Sequence, residues 1–198
     1  MGPKVVAIVG SYRKGGTTDS AVQAILAGAR EKGAETRTIY LTEQHLEFCT
    51  NCRKCTQVPG EQRGFCEQRD DLQSILTEID TADALVLGSP VNFWNVTAIF
   101  RQFMERLVGY AYWPWGTAAP KARRKHPTRT AALVASSAAP GFLIPLLTGA
   151  ARALSATAEI LGTQPVGTMW IGPAAQQRQA SLSPRTLAKA RRIGLRLV

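Results

Sequence analysis

The stretch Lys4-Val-Val-Ala-Ile-Val9, followed by Gly10-Ser11-Tyr12-Arg13-Lys14-Gly15-Gly16-Thr17-Thr18, decides the fold. Its first part is a continuous apolar run rich in β-branched residues, which is typical of a strand buried on both faces of a parallel sheet. After the loop, apolar residues recur at helical spacing from Thr18 to Lys32, and Gly33 ends that pattern. This order of strand, loop and helix predicts the first unit of an alternating β/α chain.

The alternation continues along the rest of the chain. Further strands are predicted at Glu35–Tyr40, Ala84–Gly88, Thr130–Ala135 and Gln164–Ile171. Further helices are predicted at Asp70–Thr81, Val96–Val108, Leu143–Leu161 and Pro184–Leu197. The pattern predicts an α/β fold, a doubly wound five-stranded parallel sheet with helices on both faces. A length of 198 residues suits a single domain, residues 1–198. Two stretches lack a clear period, a cysteine-containing insertion at about 42–69 and the aromatic segment Tyr110–Pro120.

Three loops that follow predicted strands are rich in small and polar residues. They are Gly10–Thr18, Gly88–Val96 and Ser136–Phe142. Because ligands of open α/β sheets bind beyond the carboxyl ends of the strands, we expect the loops to form one crevice. The first loop opens a helix, whose free N–H groups and dipole favour a phosphate. It matches neither a Walker A loop nor a G-x-G-x-x-G fingerprint, and a plain turn capped by Thr18 is the alternative.

All four cysteines lie close together in the pattern Cys49-x2-Cys52-x2-Cys55-x10-Cys66. Four thiolates can enclose one iron–sulfur cluster or one tetrahedral zinc ion. Cysteines without any metal are the third interpretation. Nearby cations would offset the charge of a cluster or lower the pKa of a thiol, namely Arg53, Lys54 and Arg63.

The net charge of +10 is concentrated in the C-terminal half, where Glu159 is the single acid from residue 106 onward. The basic runs Lys121–Arg129 and Arg185–Arg196 favour polyanionic or phosphorylated partners. Neither run contains interleaved aromatics or a nucleic-acid motif, so a solvated basic face is favoured over a nucleic-acid-binding protein. No secretory signal opens the sequence, and prolines interrupt the uncharged stretch Thr130–Ala151. We therefore expect a cytoplasmic protein without a membrane span or structural disulfides.

Taken in order, these motifs resemble the NAD(P)H-dependent FMN reductase family of the flavodoxin-like superfamily. The resemblance is carried by Gly10–Thr18, Asp70-Asp71, Ala82-Asp83-Ala84, Ser89-Pro90-Val91 and Phe100–Arg106. It covers roughly residues 4–145 and implies a flavodoxin-like sheet of order 2-1-3-4-5 that binds FMN. It also implies a homodimer or homotetramer with the nicotinamide near a subunit interface. Trp113 and Trp115 are candidates for that interface or for a lid over the flavin.

The resemblance assigns the three loops to parts of FMN. The phosphate would be held by Ser11, Arg13, Gly16, Thr17 and Thr18. The ring would lie along Pro90, Val91, Asn92, Phe93, Trp94 and Asn95, and its other side would be closed by Ser136, Ser137 and Gly141. Two positions depart from the family pattern, since Thr17 stands where Asn is common and Asn92 where Tyr is common. Phe93 or Trp94 would then be the ring-stacking side chain.

The cysteine pattern resembles the iron–sulfur flavoprotein branch of this family, which implies a [4Fe–4S] cluster at Cys49, Cys52, Cys55 and Cys66. The last spacing, ten residues, is longer than is usual in that branch. The leading hypothesis is an FMN-dependent oxidoreductase in which NAD(P)H reduces the flavin, which passes electrons to a quinone, a flavin or another small acceptor. The flavin carries the chemistry, so no side chain is assigned as catalytic. The alternative is an electron-transfer module fed by a protein donor such as ferredoxin.

Overall fold

The computed structural model describes residues 2–124, 126–174 and 181–198. Lys125, part of the basic run Lys121–Arg129, lies outside the described residues. The strands are β1 (Lys4–Val9), β2 (Glu35–Tyr40), β3 (Ala84–Pro90), β4 (Ala111–Tyr112), β5 (Lys121–Ala122), β6 (Arg129–Ser136) and β7 (Thr163–Ile171). The helices are α1 (Thr17–Arg30), α2 (Leu72–Asp80), α3 (Ala98–Glu105), α4 (Ile144–Leu147), α5 (Ala150–Ile160) and α6 (Pro184–Leu197).

A five-stranded parallel sheet forms the centre of the molecule, with the strand order β2-β1-β3-β6-β7. With the short strands β4 and β5 left out, this is the order 2-1-3-4-5, so the predicted flavodoxin-like topology is confirmed. Strand β1 pairs with β2 on one side and with β3 on the other. The order of the strands therefore reverses next to β1, and ligands of such sheets bind at this switch point.

The sheet is buried on both faces, which explains the continuous apolar run of β1. Val6 and Ile8 pack into a core that includes side chains of α2, α3 and α5. Val5, Ala7 and Val9 pack into a second core formed with α1 and α6. All five of these side chains are fully buried. A strand that alternates between two apolar cores carries no polar face.

Helices α1 and α6 touch backbone to backbone. A Cβ atom on Gly28 would lie 2.4 Å from the carbonyl oxygen of Arg191, and one on Gly194 would lie 2.0 Å from that of Ile25. Both separations are far below a van der Waals contact. Glycine at these two positions therefore sets the distance between the helices.

We expect Gly194→Ala to lower the free energy of unfolding by about 1–3 kcal/mol, because the added methyl group forces the two helix backbones apart. Urea unfolding followed by circular dichroism measures this change. Ala188→Ser, on the exposed side of the same helix, is the matched control and should stay within about 0.5 kcal/mol of the wild type. Equal stability of Gly194→Ala and the control would contradict the close crossing.

Three predicted elements differ from the structure. The helix predicted over Leu143–Leu161 is divided into α4 and α5, because Thr148 is extended and Gly149 packs against the side chain of Asn95. The helix predicted over Val96–Val108 is α-helical only in α3 and then tightens into a 3-10 turn, Arg106–Tyr110. The aromatic segment contains β4, which pairs with β5 directly after the segment to form an antiparallel ribbon. The first difference arises from a contact between loops, which a local pattern does not contain.

No single helix among the described residues is both long and apolar enough to cross a membrane. Gly141–Leu147 and Ala150–Ile160 meet the length and composition criteria only together, with a bend of 75° between them.

Candidate functional site

The three loops predicted to form a crevice do meet beyond the ends of β1, β3 and β6. They enclose an open cavity of about 250 Å³, called the crevice below. It is lined by Ser11, Tyr12, Arg13, Gly16, Thr17, Thr18, Pro90, Val91, Asn92, Ser136, Ser137, Ala138 and Ala174. The structure thus brings together all five residues predicted for the phosphate and five of those predicted for the ring.

The phosphate end of the crevice is the N-terminus of α1. Gly16 is the N-cap, and no side chain caps the helix. The alternative in which Thr18 caps the helix is therefore wrong, since the Thr18 hydroxyl shares a buried hydrogen bond of 2.7 Å with that of Ser136. The first N–H groups of a helix have no partner within the helix and carry its positive dipole. A 14-residue helix that starts uncapped at the crevice is suited to hold an anion.

A network of hydrogen bonds fixes the floor between the first two loops. The backbone N–H of Gly10 donates to the carbonyl of Gly88 at 2.8 Å. The Thr97 hydroxyl donates to the carbonyl of Gly10 at 2.7 Å and accepts from the N–H of Phe100, which caps α3. A Cβ atom on Gly10 would lie 2.7 Å from Phe100 Cβ, so the loop passes directly over this ring. The loops are therefore held in place before any ligand binds.

The second loop ends in a strained aromatic turn. Asn92 and Asn95 exchange backbone hydrogen bonds of 2.8 and 3.0 Å around Phe93 and Trp94. Phe93 has φ 49° and Trp94 has φ 67°, a left-handed conformation that bulky residues rarely adopt. Both side chains are exposed, Phe93 completely. Strain of this kind persists where the surroundings impose it, and it often marks a functional site.

A second cavity of about 240 Å³ adjoins the crevice and shares Val91, Ser137 and Ala138 with it. The remaining lining is largely apolar and consists of Phe93, Trp94, Ala139, Leu143, Ile144, Leu147 and Thr148. Phe93 and Trp94 thus lie beside the crevice rather than in it. Together, the two cavities fall within the range of about 300–1,000 Å³ that is usual for ligand pockets.

Two of the predicted site residues line neither cavity. Asn95 stabilises the aromatic turn, where its side-chain oxygen accepts from the N–H of Val96 at 2.8 Å. Gly141 packs against the backbone of Trp170, where a Cβ atom would lie 2.2 Å from the carbonyl oxygen. These residues shape the walls rather than the ligand-facing surface.

Sequence reasoning missed Tyr12, Ala138 and Ala174, which also line the crevice. Tyr12 lies between Ser11 and Arg13, so its place in the loop was the available signal. Its hydroxyl accepts from the N–H of Ile99 at 3.3 Å. Ala174 has no comparable signal, because it reaches the site through a hydrogen bond from its N–H to the carbonyl of Ser137.

The four cysteines line a separate small cavity, called the cysteine cavity below. Burial raises the pKa of the Cys55 thiol, and the other three thiols raise it further. Within the described residues, no three His, Cys, Asp or Glu side chains are arranged to hold a single metal ion. One tetrahedral zinc would need its sulfurs about 3.8 Å apart, because Zn–S bonds are about 2.3 Å long. A cubane cluster, in which each thiolate binds a different iron, holds its four sulfurs more widely apart.

Unsatisfied polar atoms are concentrated at the cysteine cavity. Among the described residues, the buried side-chain atoms without a partner are Arg53 Nε, Gln68 Oε1 and Arg129 Nε. Arg53 and Gln68 line this cavity. A bound cluster supplies negative charge and sulfur acceptors, which suit the unpaired N–H of Arg53, whereas Gln68 Oε1 is itself an acceptor. The cavity has a volume of about 20 Å³, close to the size of one water molecule, and Cys52 lies at its exposed side.

A buried ion pair fixes one wall of the cysteine cavity. The Arg106 guanidinium, which is 3% exposed, donates to Asp70 Oδ2 and to the carbonyl of Glu47, both at 2.5 Å. A further donor, Nη2, reaches Cys66 Sγ at 3.4 Å. Burial tends to raise the pKa of Asp70, but the hydrogen bonds from Arg106 and from two backbone N–H groups outweigh it. The pKa of Asp70 therefore lies below its usual value.

The two candidate lid residues contact Arg53, which lines the cysteine cavity, and do not line the crevice. Trp113 and Trp115 stack on the guanidinium of Arg53, with distances of 3.8 and 4.2 Å from its carbon to the ring centroids. Neither lines the crevice of this chain, so they do not cover a ligand bound there, and the interpretation as interface residues stays a prediction. The ribbon of β4 and β5 instead supports the cysteine segment.

Comparison with known proteins adds three findings. A family model described as NADPH-dependent FMN reductase matches residues 3–142. An iron-sulfur flavoprotein from Archaeoglobus fulgidus is 32% identical over 111 residues, which is 56% of this chain and 48% of that protein. Another, from Methanocaldococcus jannaschii, is 37% identical over 103 residues, 52% of this chain and 51% of that protein. The chain spans about half the length of the curated relatives that it matches.

Solved structures share the fold at low sequence identity. An NAD(P)H:quinone oxidoreductase from Methanothermobacter marburgensis has a TM-score of 0.74 and 17% identity, and the match covers 100% of both chains. A flavone reductase has a TM-score of 0.67 and 19% identity over 98% of this chain and 61% of that one. These likenesses confirm the flavodoxin-like architecture.

Proposed function

The chain belongs to the NADPH-dependent FMN reductase family, and from this premise we propose that it is an FMN-dependent oxidoreductase. NAD(P)H would reduce the bound flavin, which would reduce a quinone, a free flavin or another small acceptor. The observation that carries this proposal is the uncapped N-terminus of α1 at the polar end of the crevice, with an apolar cavity adjoining the other end. FMN needs both environments, because its phosphate is anionic and its ring system is planar and largely apolar.

Different residues of the chain would bind the phosphate and the ring of FMN. The backbone N–H groups at the start of α1 and the hydroxyls of Ser11 and Thr17 would hold the phosphate. The walls Pro90–Asn92 and Ser136–Ala138 would position the ring. When bound, FMN supplies the hydride and electron transfer, and the protein supplies orientation and electrostatics.

The apolar second cavity would receive the nicotinamide or the acceptor. Phe93, Trp94 and Leu147 give it an apolar surface. Exposed apolar side chains continue beyond it at Phe142 and Leu146. This continuous surface supports the proposal of a homodimer or homotetramer, which light scattering coupled to gel filtration would test. Because NAD(P)H is an intracellular reductant, the proposed activity is cytoplasmic.

A specific observation favours a second candidate function, an iron–sulfur flavoprotein that transfers electrons. Four thiols and two arginines line one cavity, and one of these arginines, Arg53, has a buried donor without an acceptor. Cys49, Cys52, Cys55 and Cys66 would hold a [4Fe–4S] cluster, which would supply one-electron transfer. The donor would then be a ferredoxin-type protein, and NAD(P)H would be a poor reductant.

One experiment on protein purified without oxygen tests both candidates. We expect FMN to bind with flavin absorbance and quenched fluorescence. Rapid oxidation of NADPH with a quinone acceptor, without iron, supports the reductase. About four irons and four labile sulfides per chain, with faster reduction by ferredoxin than by NADPH, support the electron-transfer candidate. If FMN neither copurifies nor binds when added, both candidates fail.

A further inference from the structure

Arg53 adopts an unusual backbone conformation in the middle of the cysteine pattern. Its φ of 58° and ψ of 10° lie in the left-handed region, which is unfavourable for a residue with a side chain. The turn at Arg53 directs the chain from Cys52 into the 3-10 turn Lys54–Thr56, which carries Cys55. Such a conformation persists only where surrounding contacts impose it.

The contacts that impose it come from the ribbon of β4 and β5. Trp113 and Trp115, called the tryptophan clamp here, hold the guanidinium between their rings at 3.8 and 4.2 Å. Arg53 Nη2 also donates to the carbonyls of Trp113 and Pro114 at 2.6 and 3.3 Å. The N–H of Trp113 donates to the carbonyl of Thr56 at 2.9 Å, which ties the ribbon to the 3-10 turn. Cation–π stacking on two indoles fixes both the position and the plane of the guanidinium.

One N–H donor of Arg53 makes no hydrogen bond within this arrangement. Arg53 Nε is buried and has no acceptor among the described residues, and Arg53 is part of the lining of the cysteine cavity. Leaving a buried N–H without an acceptor is unfavourable, so a group that fills this cavity is expected to accept from it. The sulfurs of an iron–sulfur cluster are such acceptors.

We propose that Arg53 is a positioning residue that donates a hydrogen bond from Nε to a cluster held by the four cysteines, and that the tryptophan clamp presets this donor. The inference rests on the electron-transfer candidate above. Hydrogen bonds to the sulfurs set the potential of a cluster, because they stabilise the more negative, reduced state. Arg53 thus raises the reduction potential of the cluster. Because the clamp holds the planar guanidinium in one orientation, its N–H group can donate where the flexible ammonium group of a lysine does not.

The test uses the full chain with FMN bound and iron and sulfide reconstituted without oxygen. Potentiometric titration followed by the electron paramagnetic resonance of the reduced cluster gives its potential separately from that of the flavin. At the wild-type midpoint, we expect Arg53→Lys to lower the ratio of reduced to oxidised cluster about tenfold, a shift of about 59 mV for a one-electron couple. This variant keeps the positive charge and loses the planar donor. Trp115→Ala should shift the potential in the same direction by less.

Lys54→Gln is the matched control. Lys54 is the neighbour of Arg53, but it is exposed and pairs with Glu67. We expect this variant to change the ratio less than twofold, although it removes a positive charge beside Cys52. Every variant should hold about four irons per chain and bind FMN as the wild type does.

Two results would overturn the inference and leave the electron-transfer candidate intact. One is a ratio within twofold of the wild type in Arg53→Lys, and the other is an equal shift in Lys54→Gln. If Arg53→Lys holds no iron, Trp115→Ala decides, because it keeps Arg53 and removes one side of the clamp. An unchanged potential in Trp115→Ala would then overturn the inference. A wild-type chain that binds FMN but no iron would overturn both the inference and the electron-transfer candidate, and would leave the FMN oxidoreductase.

Discussion

Thr17→Asp is expected to weaken FMN binding at least 100-fold and to leave the chain folded. Thr17 is the first residue of α1 and lines the crevice. Two like charges about 4 Å apart near a protein surface repel by about 4 kcal/mol, which exceeds the ~2.8 kcal/mol of a 100-fold change. The same carboxylate stabilises the helix N-terminus by about 0.3–1 kcal/mol. Fluorescence titration with FMN measures the affinity, and thermal unfolding measures the stability.

The phosphate itself provides the control for this prediction. Riboflavin lacks it, so the affinity for riboflavin should change less than threefold in Thr17→Asp. Ser20→Asp adds the same charge one turn further along α1, outside the crevice lining, and should weaken FMN binding less than tenfold. Unchanged FMN affinity in Thr17→Asp would show that the N-terminus of α1 does not hold the phosphate. Equal losses for FMN and riboflavin would point to a damaged crevice instead of charge repulsion.

The fold could be predicted from the sequence because its signals are local. A strand buried on both faces needs an uninterrupted apolar run, and Lys4–Val9 is such a run. The meeting of the three loops could also be predicted from the strand pattern, because parallel strands bring their carboxyl ends to one edge of the sheet. Gly16 and Thr17 line the crevice for this reason, and their role in holding a phosphate stays a prediction.

The parts that escaped prediction depend on contacts between distant segments. The segment Tyr110–Pro120 shows no strand pattern, yet Trp113 and Trp115 position Arg53, about 60 residues earlier in the sequence. Gly149 interrupts a helical pattern because the aromatic turn packs against it. Neither partner can be found from composition or periodicity, because many other pairings would be equally compatible with the sequence.

The pair Asp70-Asp71 also makes contacts that the sequence pattern does not predict. Acids at the start of a helix have a simple explanation as partners of its dipole. In the structure, the Asp71 carboxylate accepts from the N–H of His45 at 2.7 Å, and that of Asp70 accepts from the N–H of Glu47 at 2.8 Å. Both acids thus fasten the cysteine-bearing insertion to α2. The arginine that completes this arrangement, Arg106, lies on a different element.

Arg106→Met is expected to lower the free energy of unfolding by about 3–5 kcal/mol at pH 7, because it leaves a buried carboxylate without its cation. Both side chains of the pair with Asp70 are almost completely buried, so solvent does not take over the lost interaction. Urea unfolding of the reduced, iron-free chain measures the change. Arg101→Met on α3 is the matched control. Its exposed partner is Glu105, one turn away, and we expect a change below about 1 kcal/mol.

The dependence on pH distinguishes a lost charge pair from lost packing. In the wild type, the pKa of Asp70 lies below its unfolded value, so its contribution to stability is present at neutral pH and is lost as the pH falls through the folded pKa. Loss of Arg106 removes its hydrogen bonds and its positive charge while burial still disfavours the charged form, so we expect the pKa of Asp70 to rise. Protonation of Asp70 then removes the buried charge. The difference in the free energy of unfolding between Arg106→Met and the wild type should therefore shrink steadily from pH 7 toward pH 4.

A second substitution should recover part of the loss at pH 7. Arg106→Met combined with Asp70→Asn removes the buried charge and keeps a side-chain oxygen that can accept from the backbone N–H of Glu47 or Leu72. We expect this double variant to be more stable than Arg106→Met alone and to show little of its pH dependence. If the double variant is no more stable than Arg106→Met alone, the contribution of Arg106 lies in its contacts with Glu47 and Cys66, and the charge of Asp70 does not determine the loss.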